Sequence, residues 1–288
     1  MAADQALALA LTTLTGISVL VLVALGLAII FGMMRIINLA HGEFLMIGAF
    51  VALYCVRAGV PFAVSVLVAA VVVGLFGVAV ERLLIQHLYG RLEDTMLATW
   101  GLSLIMVQAV VLIFGASTRG LPTPLGNVRF GRYSVSGYSL VLIGSAVVML
   151  ALVFWLFTRT RYGTMARAAM QLPETAMIVG INTRTVNMVT FGMGSALAGA
   201  AGALLAPVAG VVPSMGQGYI ARAFMTVIVG GPAVLTGTTA AAALLGAVDR
   251  TVSFLSTQFY GQAALLIAAI VLLRLMPTGL SGRMRRQL

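Results

Sequence analysis

Long apolar runs alternate with short polar stretches along almost the whole chain. They predict membrane segments at about 11–34, 43–57, 61–80, 96–115, 138–158, 185–208, 219–234, 238–249 and 260–276. Several runs reach the roughly 20 residues that an α-helix needs to cross a bilayer. No basic segment precedes the first run and no cleavage site follows it, so it is expected to stay in the mature protein. The pattern predicts one all-α integral membrane domain over residues 1–288, with about eight or nine transmembrane helices.

One stretch of this pattern contains residues that break helices. Gly230, Gly231, Pro232 and Gly237 fall where the runs at 219–234 and 238–249 meet. Either one long segment is interrupted here, or two half-helices meet at membrane depth, where irregular backbone is tolerated only under cover of protein or a water-filled cavity. The alternative is one continuous, kinked helix.

A polar cluster lies between the first two apolar runs. Asn38, His41 and Glu43 fall within the seven residues from Ile37 to Glu43. Residues three apart share a helix face, as Asn38 and His41 would, whereas His41 and Glu43 are two apart and would not meet. Gly42 permits a break, so we expect a turn or helix start here; in a chain that transports a solute it would lie near the cytoplasmic end of the path. A gate, a fixed packing joint and direct substrate contact are the three interpretations open for it.

Further polar residues lie inside the later segments. Thr99, Trp100 and Ser103 belong to the fourth segment and either line an aqueous path or form hydrogen bonds between helices. Gln217 and Tyr219 open the interrupted segment on its outer side, and Tyr219 has the character of an interfacial anchor. We assign Gln217 to the translocation path with the residues of the fourth segment.

Small residues crowd the sixth segment. Ser195 and Gly199 are four apart, as are Ala198 and Gly202. This spacing lets helix backbones approach closely. It predicts tight packing either inside one subunit or between two subunits.

The loop at 161–182 is polar enough to form short interfacial helices. Pro173 suits the first position of a helix, and the helix dipole favours Glu174 in the first turn. Gly180 suits a left-handed C-terminal position. We therefore predict a capped helix from Pro173 to residue 179 and an earlier one at 163–171.

Composition removes several classes of function. All 17 basic residues are arginine. A P-loop and Schiff-base chemistry both need lysine, so neither applies. The net charge of +10 does not indicate nucleic-acid binding, because no soluble domain carries a basic patch. Cys55 is the one cysteine, and no metal-ligand spacing is present. No cofactor and no metal are expected.

Arginine positions predict the orientation. The loop at 159–184 and the C-terminal tail are rich in arginine and should be cytoplasmic. Nine crossings would then place the N-terminus in the periplasm and the C-terminus in the cytoplasm. The arginines of the loop at 116–137 argue against this assignment.

Taken together, the motifs of this chain resemble those of a known permease family. Those motifs are Gly26-Leu27-Ala28, Phe31-Gly32, Arg35–Glu43, Thr160–Gly163, Glu174–Gly180, Gly180–Thr183, Gly230-Gly231, Arg274 and Pro277–Leu280. In this order, over about residues 20–282, they resemble the ABC uptake permeases for branched-chain amino acids, amides and urea, of the LivH or UrtB type. The Glu174–Gly180 match is partial, because Thr175 replaces the usual second residue and the usual continuation is absent.

The resemblance implies an ABC importer fold in the bacterial inner membrane and a set of partners. These are a second homologous permease, two ABC ATPase subunits, a periplasmic solute-binding protein and the lipid bilayer. The chain would be a transport subunit rather than an enzyme. The loop at 161–182 would couple it to the ATPases through Arg161, Gly163, Arg167, Glu174, Ala176 and Gly180.

The substrate stays open among branched-chain amino acids, urea and short amides. The stretches Leu97–Leu104 and Gly216–Ile220 look more like the urea-type permeases. A membrane-embedded enzyme is disfavoured, because no catalytic constellation is present. The alternative transporter is an ion-coupled one, although such proteins commonly have inverted repeats and more intramembrane carboxylates.

Overall fold

A computed structural model describes residues 2–130 and 133–285. Its helices are α1 (Ala2–Met34), α2 (His41–Arg57), α3 (Phe62–Leu83), α4 (Leu92–Phe114), α5 (Tyr138–Arg159), α6 (Arg161–Gln171), α7 (Pro173–Ile178), α8 (Thr183–Ala209), α9 (Gln217–Gly230), α10 (Val234–Leu255), α11 (Gln258–Leu275) and α12 (Gly279–Arg285). A 3-10 turn, Ile85–Leu88, precedes α4.

Every predicted membrane segment is helical in the structure, and the chain is an all-α membrane protein apart from one short hairpin. Six helices of the described chain are long and apolar enough to cross a membrane, and the bent pair α9–α10 would make seven. α2 has 17 residues and is not among these six helices.

The hairpin was not predicted from the sequence. β1 (Asn127–Phe130) pairs antiparallel with β2 (Tyr133–Ser136) in the loop between α4 and α5. Its strands have four residues each and no apolar run, so they resemble any polar loop in the hydropathy pattern.

The chain divides into two compact units, and several helices continue from one into the other. The first unit comprises Met1–Ala24, Pro122–Met149 and Arg222–Leu288. The second comprises Leu25–Leu121 and Leu150–Ala221. The predicted polar residues and the predicted coupling loop all belong to the second unit.

Helix α8 forms the centre of the second unit. Its small residues lie against backbone of three other helices: Gly194 against Gly26 of α1, Gly202 against Leu45 of α2, and Gly199 against Ala69 of α3. Ser195 fills the space that Gly77 of α3 leaves open. The small-residue stripe therefore packs within this chain, one of the two predicted alternatives.

In the first unit, the break between α9 and α10 is real. The two helices meet at 118°, so the alternative of one continuous kinked helix is wrong. Gly231 has φ of +79°, a conformation that L side chains rarely adopt. Ser281 of α12 provides hydrogen-bond partners for the backbone at this break. Its hydroxyl donates to the Gly230 carbonyl (2.7 Å) and accepts from the Ala233 N–H (3.0 Å).

The packing around α8 generates a stability prediction. A methyl group at Gly202 would overlap the Leu45 carbonyl, so Gly202→Ala should destabilise the protein by about 1–3 kcal/mol through overpacking. Thermal unfolding of the purified protein measures this effect. Size-exclusion chromatography checks that the variant is recovered as a monodisperse protein.

Gly101→Ala is the matched control. Within the described chain no atom lies within 4 Å of a Cβ at Gly101, which also sits inside a helix. That variant should gain about 0.5–1 kcal/mol from lost backbone freedom. Equal stability of the two variants would contradict the packing argument.

Candidate functional site

The predicted polar cluster forms the turn between α1 and α2. Arg35 follows α1 with φ of +55°, which ends the helix sharply. The Asn38 side-chain oxygen then accepts from the Ala40 N–H (3.0 Å), and the His41 N–H donates to the Asn38 carbonyl (3.3 Å). These short-range hydrogen bonds reverse the chain and start α2 at His41, in line with the predicted helix start.

Helix α4 holds this turn from the side. The Leu39 N–H donates to the Thr99 hydroxyl (3.1 Å), and that hydroxyl lies 3.3 Å from the Ile37 carbonyl. One turn further along α4, the Ser103 hydroxyl is hydrogen-bonded to the Glu43 carboxylate. Thr99 comes seven residues after α4 begins, so at 1.5 Å per residue the polar turn lies roughly 10 Å along that helix.

The turn buries polar groups that are not fully satisfied. Asn38 and His41 are fully buried and Glu43 is 2% exposed. Among the residues that the structure describes, the Asn38 Nδ2 and the Glu43 Oε2 have no hydrogen-bond partner. His41 lies against Gly26 of α1, where an added methyl would come within 3.1 Å of its Cε1. A buried polar atom without a partner costs about 1–3 kcal/mol.

A second helix start adjoins the first. Gly216 packs directly on Gly42: a Cβ at Gly42 would lie 2.5 Å from the Gly216 carbonyl oxygen. Gln217, the first residue of α9, is exposed next to this contact. Sequence spacing could not show this contact, because the two glycines are remote in the chain and a glycine carries no side-chain signal.

Trp100 does not join this cluster. It is 55% exposed, on a different face of α4 from the buried Thr99 and Ser103. Adjacent residues on a helix point about 100° apart, so Thr99 and Trp100 cannot both face the turn. Exposed Leu97 and Leu104 flank Trp100 on the same face. Of the predicted path residues, the structure therefore gathers Asn38, His41, Glu43, Thr99 and Ser103, with Gln217 beside them.

The predicted coupling loop folds as two short helices, α6 and α7. Thr160 caps α6, its hydroxyl accepting from the Gly163 N–H (3.1 Å), and Gly163 packs tightly on the Phe157 carbonyl. Pro173 opens α7, and Gly180 follows that helix with φ of +87°. Both predicted helices are present, although α6 begins at Arg161 rather than 163 and α7 ends at Ile178 rather than 179.

The side chains assigned to coupling differ in exposure. Ala176 and Gly163 are buried and fix the loop, Arg167 is half-buried, and Arg161, Glu174 and Gly180 are exposed. Five large apolar side chains are also exposed on this loop: Met165, Leu172, Met177, Ile178 and Val179.

Tyr162 anchors the loop to α8, and sequence analysis gave it no such role. Its hydroxyl lies 2.6 Å from the Thr190 hydroxyl. Burial raises the pKa of Tyr162 to about 12, so the side chain stays neutral at physiological pH. Its ring also meets Phe157 edge to face, with centroids 6.2 Å apart. A lone tyrosine next to a membrane segment resembles any interfacial anchor, so nothing in the sequence pointed to its partner.

Another buried polar pair lies near the start of α8. Tyr89 donates to the carboxylate of Glu81, a residue that is 1% exposed at the end of α3. Burial and this carboxylate raise the pKa of Tyr89, whereas a hydrogen bond to Asn187 of α8 lowers it. The pair ties the α3–α4 loop to the same end of α8 as Tyr162 does.

Within residues 2–130 and 133–285, no group of three His, Cys, Asp or Glu side chains could hold a metal ion.

The chain matches a family model described as "Branched-chain amino acid transport system / permease component" over residues 9–276. It is 30% identical over 282 residues to the high-affinity branched-chain amino acid transport system permease protein BraD of Pseudomonas aeruginosa, covering 91% of each chain. It is 28% identical over 281 residues to the corresponding protein LivH of Escherichia coli K12, again covering 91% of each.

The probable branched-chain amino acid transport permease protein LivH of Methanocaldococcus jannaschii is 28% identical over 285 residues, covering 92% of this chain and 89% of its own. No solved structure matches the chain. On this evidence, the chain belongs to the family of permease components of branched-chain amino acid transport systems.

Proposed function

We propose that this chain is an inner-membrane subunit of an ATP-driven ABC importer and carries aliphatic amino acids. It works with a second permease, two ABC ATPase subunits and a periplasmic binding protein. The observation that carries the proposal is the exposed helix pair α6–α7 in a chain of this family. A transport subunit that does not itself bind nucleotide needs a surface on which the ATPase subunits can exert force.

The α6–α7 pair has the properties of a docking surface. Apolar side chains are exposed in the α6–α7 region although it lies outside the membrane-length helices; they are Met165, Leu172, Met177, Ile178 and Val179. Clusters of exposed apolar side chains are uncommon on water-facing surfaces. Exposed Glu174 and Arg161 add charge next to this area. We assign this surface to the ATPase, so the loop faces the cytoplasm in this proposal. The orientation of the termini, with the N-terminus in the periplasm and the C-terminus in the cytoplasm, stays the prediction from the arginine positions.

The Tyr162–Thr190 contact supports a route from the docking surface to the interior. A displacement of α6 pulls on α8 through this hydrogen bond and through the packing of Tyr162. Because α8 touches α1, α2 and α3, the displacement reaches the polar turn at residues 35–43. We propose that this turn is a gate of the translocation path, held closed by Thr99.

For the substrate, the relatives favour branched-chain amino acids over urea. BraD of P. aeruginosa and LivH of E. coli are both named for branched-chain amino acids. The likeness of Leu97–Leu104 and Gly216–Ile220 to urea-type permeases gains no support from these names. We therefore propose aliphatic amino acids as the substrate class.

Charge reversal on the coupling surface should uncouple ATP hydrolysis from transport. Glu174→Arg should lower amino-acid uptake by roughly tenfold, because it places a cation on a docking surface and at a helix N-terminus. Uptake and ATPase activity of the assembled complex in proteoliposomes measure the effect.

Glu93→Arg is the control for this variant. Glu93 is also exposed in the first turn of its helix, so it loses the same dipole interaction of about 0.3–1 kcal/mol. It should transport normally. Wild-type uptake in Glu174→Arg would refute the assignment of the docking surface.

Removal of the Thr99 hydroxyl tests the gate. Thr99→Val leaves the Leu39 N–H without its partner, at a cost of about 1–3 kcal/mol, and should loosen the turn. We expect raised basal ATPase activity and less uptake per ATP hydrolysed.

Thr239→Val is its control, because the Thr239 hydroxyl bonds a carbonyl of its own helix (Leu235, 2.7 Å). A fixed packing joint would give a different result for Thr99→Val: less assembled protein, with uptake per complex unchanged.

A further inference from the structure

Arg119 joins the ends of three helices. It lies in the loop at 116–137, whose arginines argue against the predicted orientation. Its N–H donates to the Val211 carbonyl (3.0 Å) and its carbonyl accepts from the Val211 N–H (2.9 Å), two residues after α8 ends. Its guanidinium donates to the Tyr54 hydroxyl in the last turn of α2 and to the carbonyl of Phe114, which ends α4. The C-terminal ends of α2, α4 and α8 therefore meet at this one residue.

Arginine suits this junction chemically. The C-terminal end of a helix carries about half a negative charge, so a cation is favoured beside the Phe114 carbonyl. The guanidinium carbon of Arg119 also lies 5.8 Å from the centre of the Tyr54 ring, within the range of a cation–π interaction. The rings of Tyr54 and Phe114 pack together with centroids 5.0 Å apart. Backbone pairing, charge and ring contact thus all hold Arg119 in this place.

The junction lies at the opposite end of α4 from the α6–α7 pair. The α3–α4 loop meets the start of α8, which directly follows α7 and Gly180. From there α4 runs for 23 residues, roughly 34 Å at 1.5 Å per residue. Near its start, the hydroxyl of Thr99 bonds the turn before α2, and beyond its end Arg119 bonds Tyr54. The helices α2 and α4 are therefore tied to each other at both ends in this structure.

Arg119 bridges helices that pack closely and one that does not. α8 and α2 contact each other backbone to backbone through Gly202, so they move together. α4 has no such contact at Gly101, its one glycine, because no described atom lies within 4 Å of a Cβ there. The main chain of Arg119 is attached beside α8, and Gly115 links it to α4. Gly115 has φ of +80° and the same open surroundings within the described chain, so it can absorb the rotation of a hinge.

We propose that Arg119 is a latch that closes the outer end of the translocation path between α2 and α4, and that movement of α8 releases it. The inference rests on the proposed function, in which α6 displaces α8 and the turn at 35–43 closes the inner end. When α8 and α2 move together relative to α4, the Arg119 guanidinium parts from the Phe114 carbonyl and Gly115 takes up the rotation. The outer ends of α2 and α4 then separate and admit the amino acid. Arg119 is a positioning residue, which acts through these helices rather than on the substrate.

Cys55 provides a native probe for this movement. It is the one cysteine of the sequence, it is half-buried, and it follows Tyr54 on α2. The experiment measures how fast a membrane-impermeant maleimide modifies Cys55 in the full complex in nanodiscs, with mass spectrometry of this chain as the readout. In the unaltered complex, modification should be slow without nucleotide and faster after trapping with ATP and vanadate. Arg119→Gln should raise the nucleotide-free rate about tenfold, the low end of what a hydrogen bond from a charged group is worth.

A second variant and a matched control separate the latch from the charge. Tyr54→Phe keeps the ring and the arginine but removes the hydroxyl, and it should raise the rate in the same direction. Arg57→Gln is the control, because Arg57 also lies over the Tyr54 ring (6.0 Å) but has no hydrogen bond or ion pair within the described chain. It should not raise the rate. Loss of a cation near a thiol by itself lowers the thiolate fraction, so a faster reaction reports exposure of Cys55.

The outcomes separate the latch from the wider function, with leucine uptake in proteoliposomes measured alongside. Unchanged Cys55 modification in Arg119→Gln and Tyr54→Phe, while the unaltered complex imports leucine, would overturn the latch and leave the permease function standing. Equal effects of Arg57→Gln and Arg119→Gln would also overturn it, because the two arginines would then act by charge alone, as on an acidic protein surface. If Arg119→Gln fails to assemble, Tyr54→Phe decides. If the unaltered complex imports no leucine, the proposed function fails first and the latch fails with it.

Discussion

Direct contact between helix backbones around α8 is the interaction on which the second unit depends. Gly194, Gly199 and Gly202 lie against backbone of α1, α2 and α3. Lipid offers no hydrophobic driving force between apolar helices, so close van der Waals packing has to provide the association energy. Glycine makes that packing possible by removing the side chain that would hold two helices apart.

Away from these glycine contacts, the helices are interrupted at two places. The turn after α1 and the break after α9 both interrupt regular hydrogen bonding, and an unpaired backbone group in a membrane costs several kcal/mol. Each interruption is repaired by a hydroxyl from another helix: Thr99 at Leu39, and Ser281 at Ala233. Irregular backbone is therefore concentrated at positions where a hydroxyl from another helix can reach it.

Most helices and their order could be predicted from the sequence, although α12 was not predicted and the break after α9 was one of two alternatives. Apolar run length predicts a membrane helix almost by itself, and Pro173 and Gly180 predict the ends of α7 through local backbone chemistry. Asn38 and Gly42 likewise predicted a turn, because a side chain that mimics backbone and a residue without Cβ both act within a few positions.

Contacts between distant positions could not be predicted in the same way. Gly42 and Gly216 meet through backbone atoms, which leave no pattern in either segment. The partners of Tyr162 and Tyr89 depend on how α8 is rotated, and many residues share the required chemistry. Trp100 was grouped with Thr99 because they are neighbours in sequence, yet helix geometry directs them to different faces.

The contacts of α8 also determine what kind of motion this region can undergo. An interface built from large side chains can adjust through rotamer changes, whereas an interface of glycine backbones has no rotamers to change. The helices around α8 must then move as one rigid block or slide in discrete steps, as in shear motions. Flexibility is left to the segments without such contacts, such as the turn at Gly180, where no described atom lies within 4 Å of a Cβ position. Under the proposed function, a push at α6 would then move this block as a whole rather than deform it.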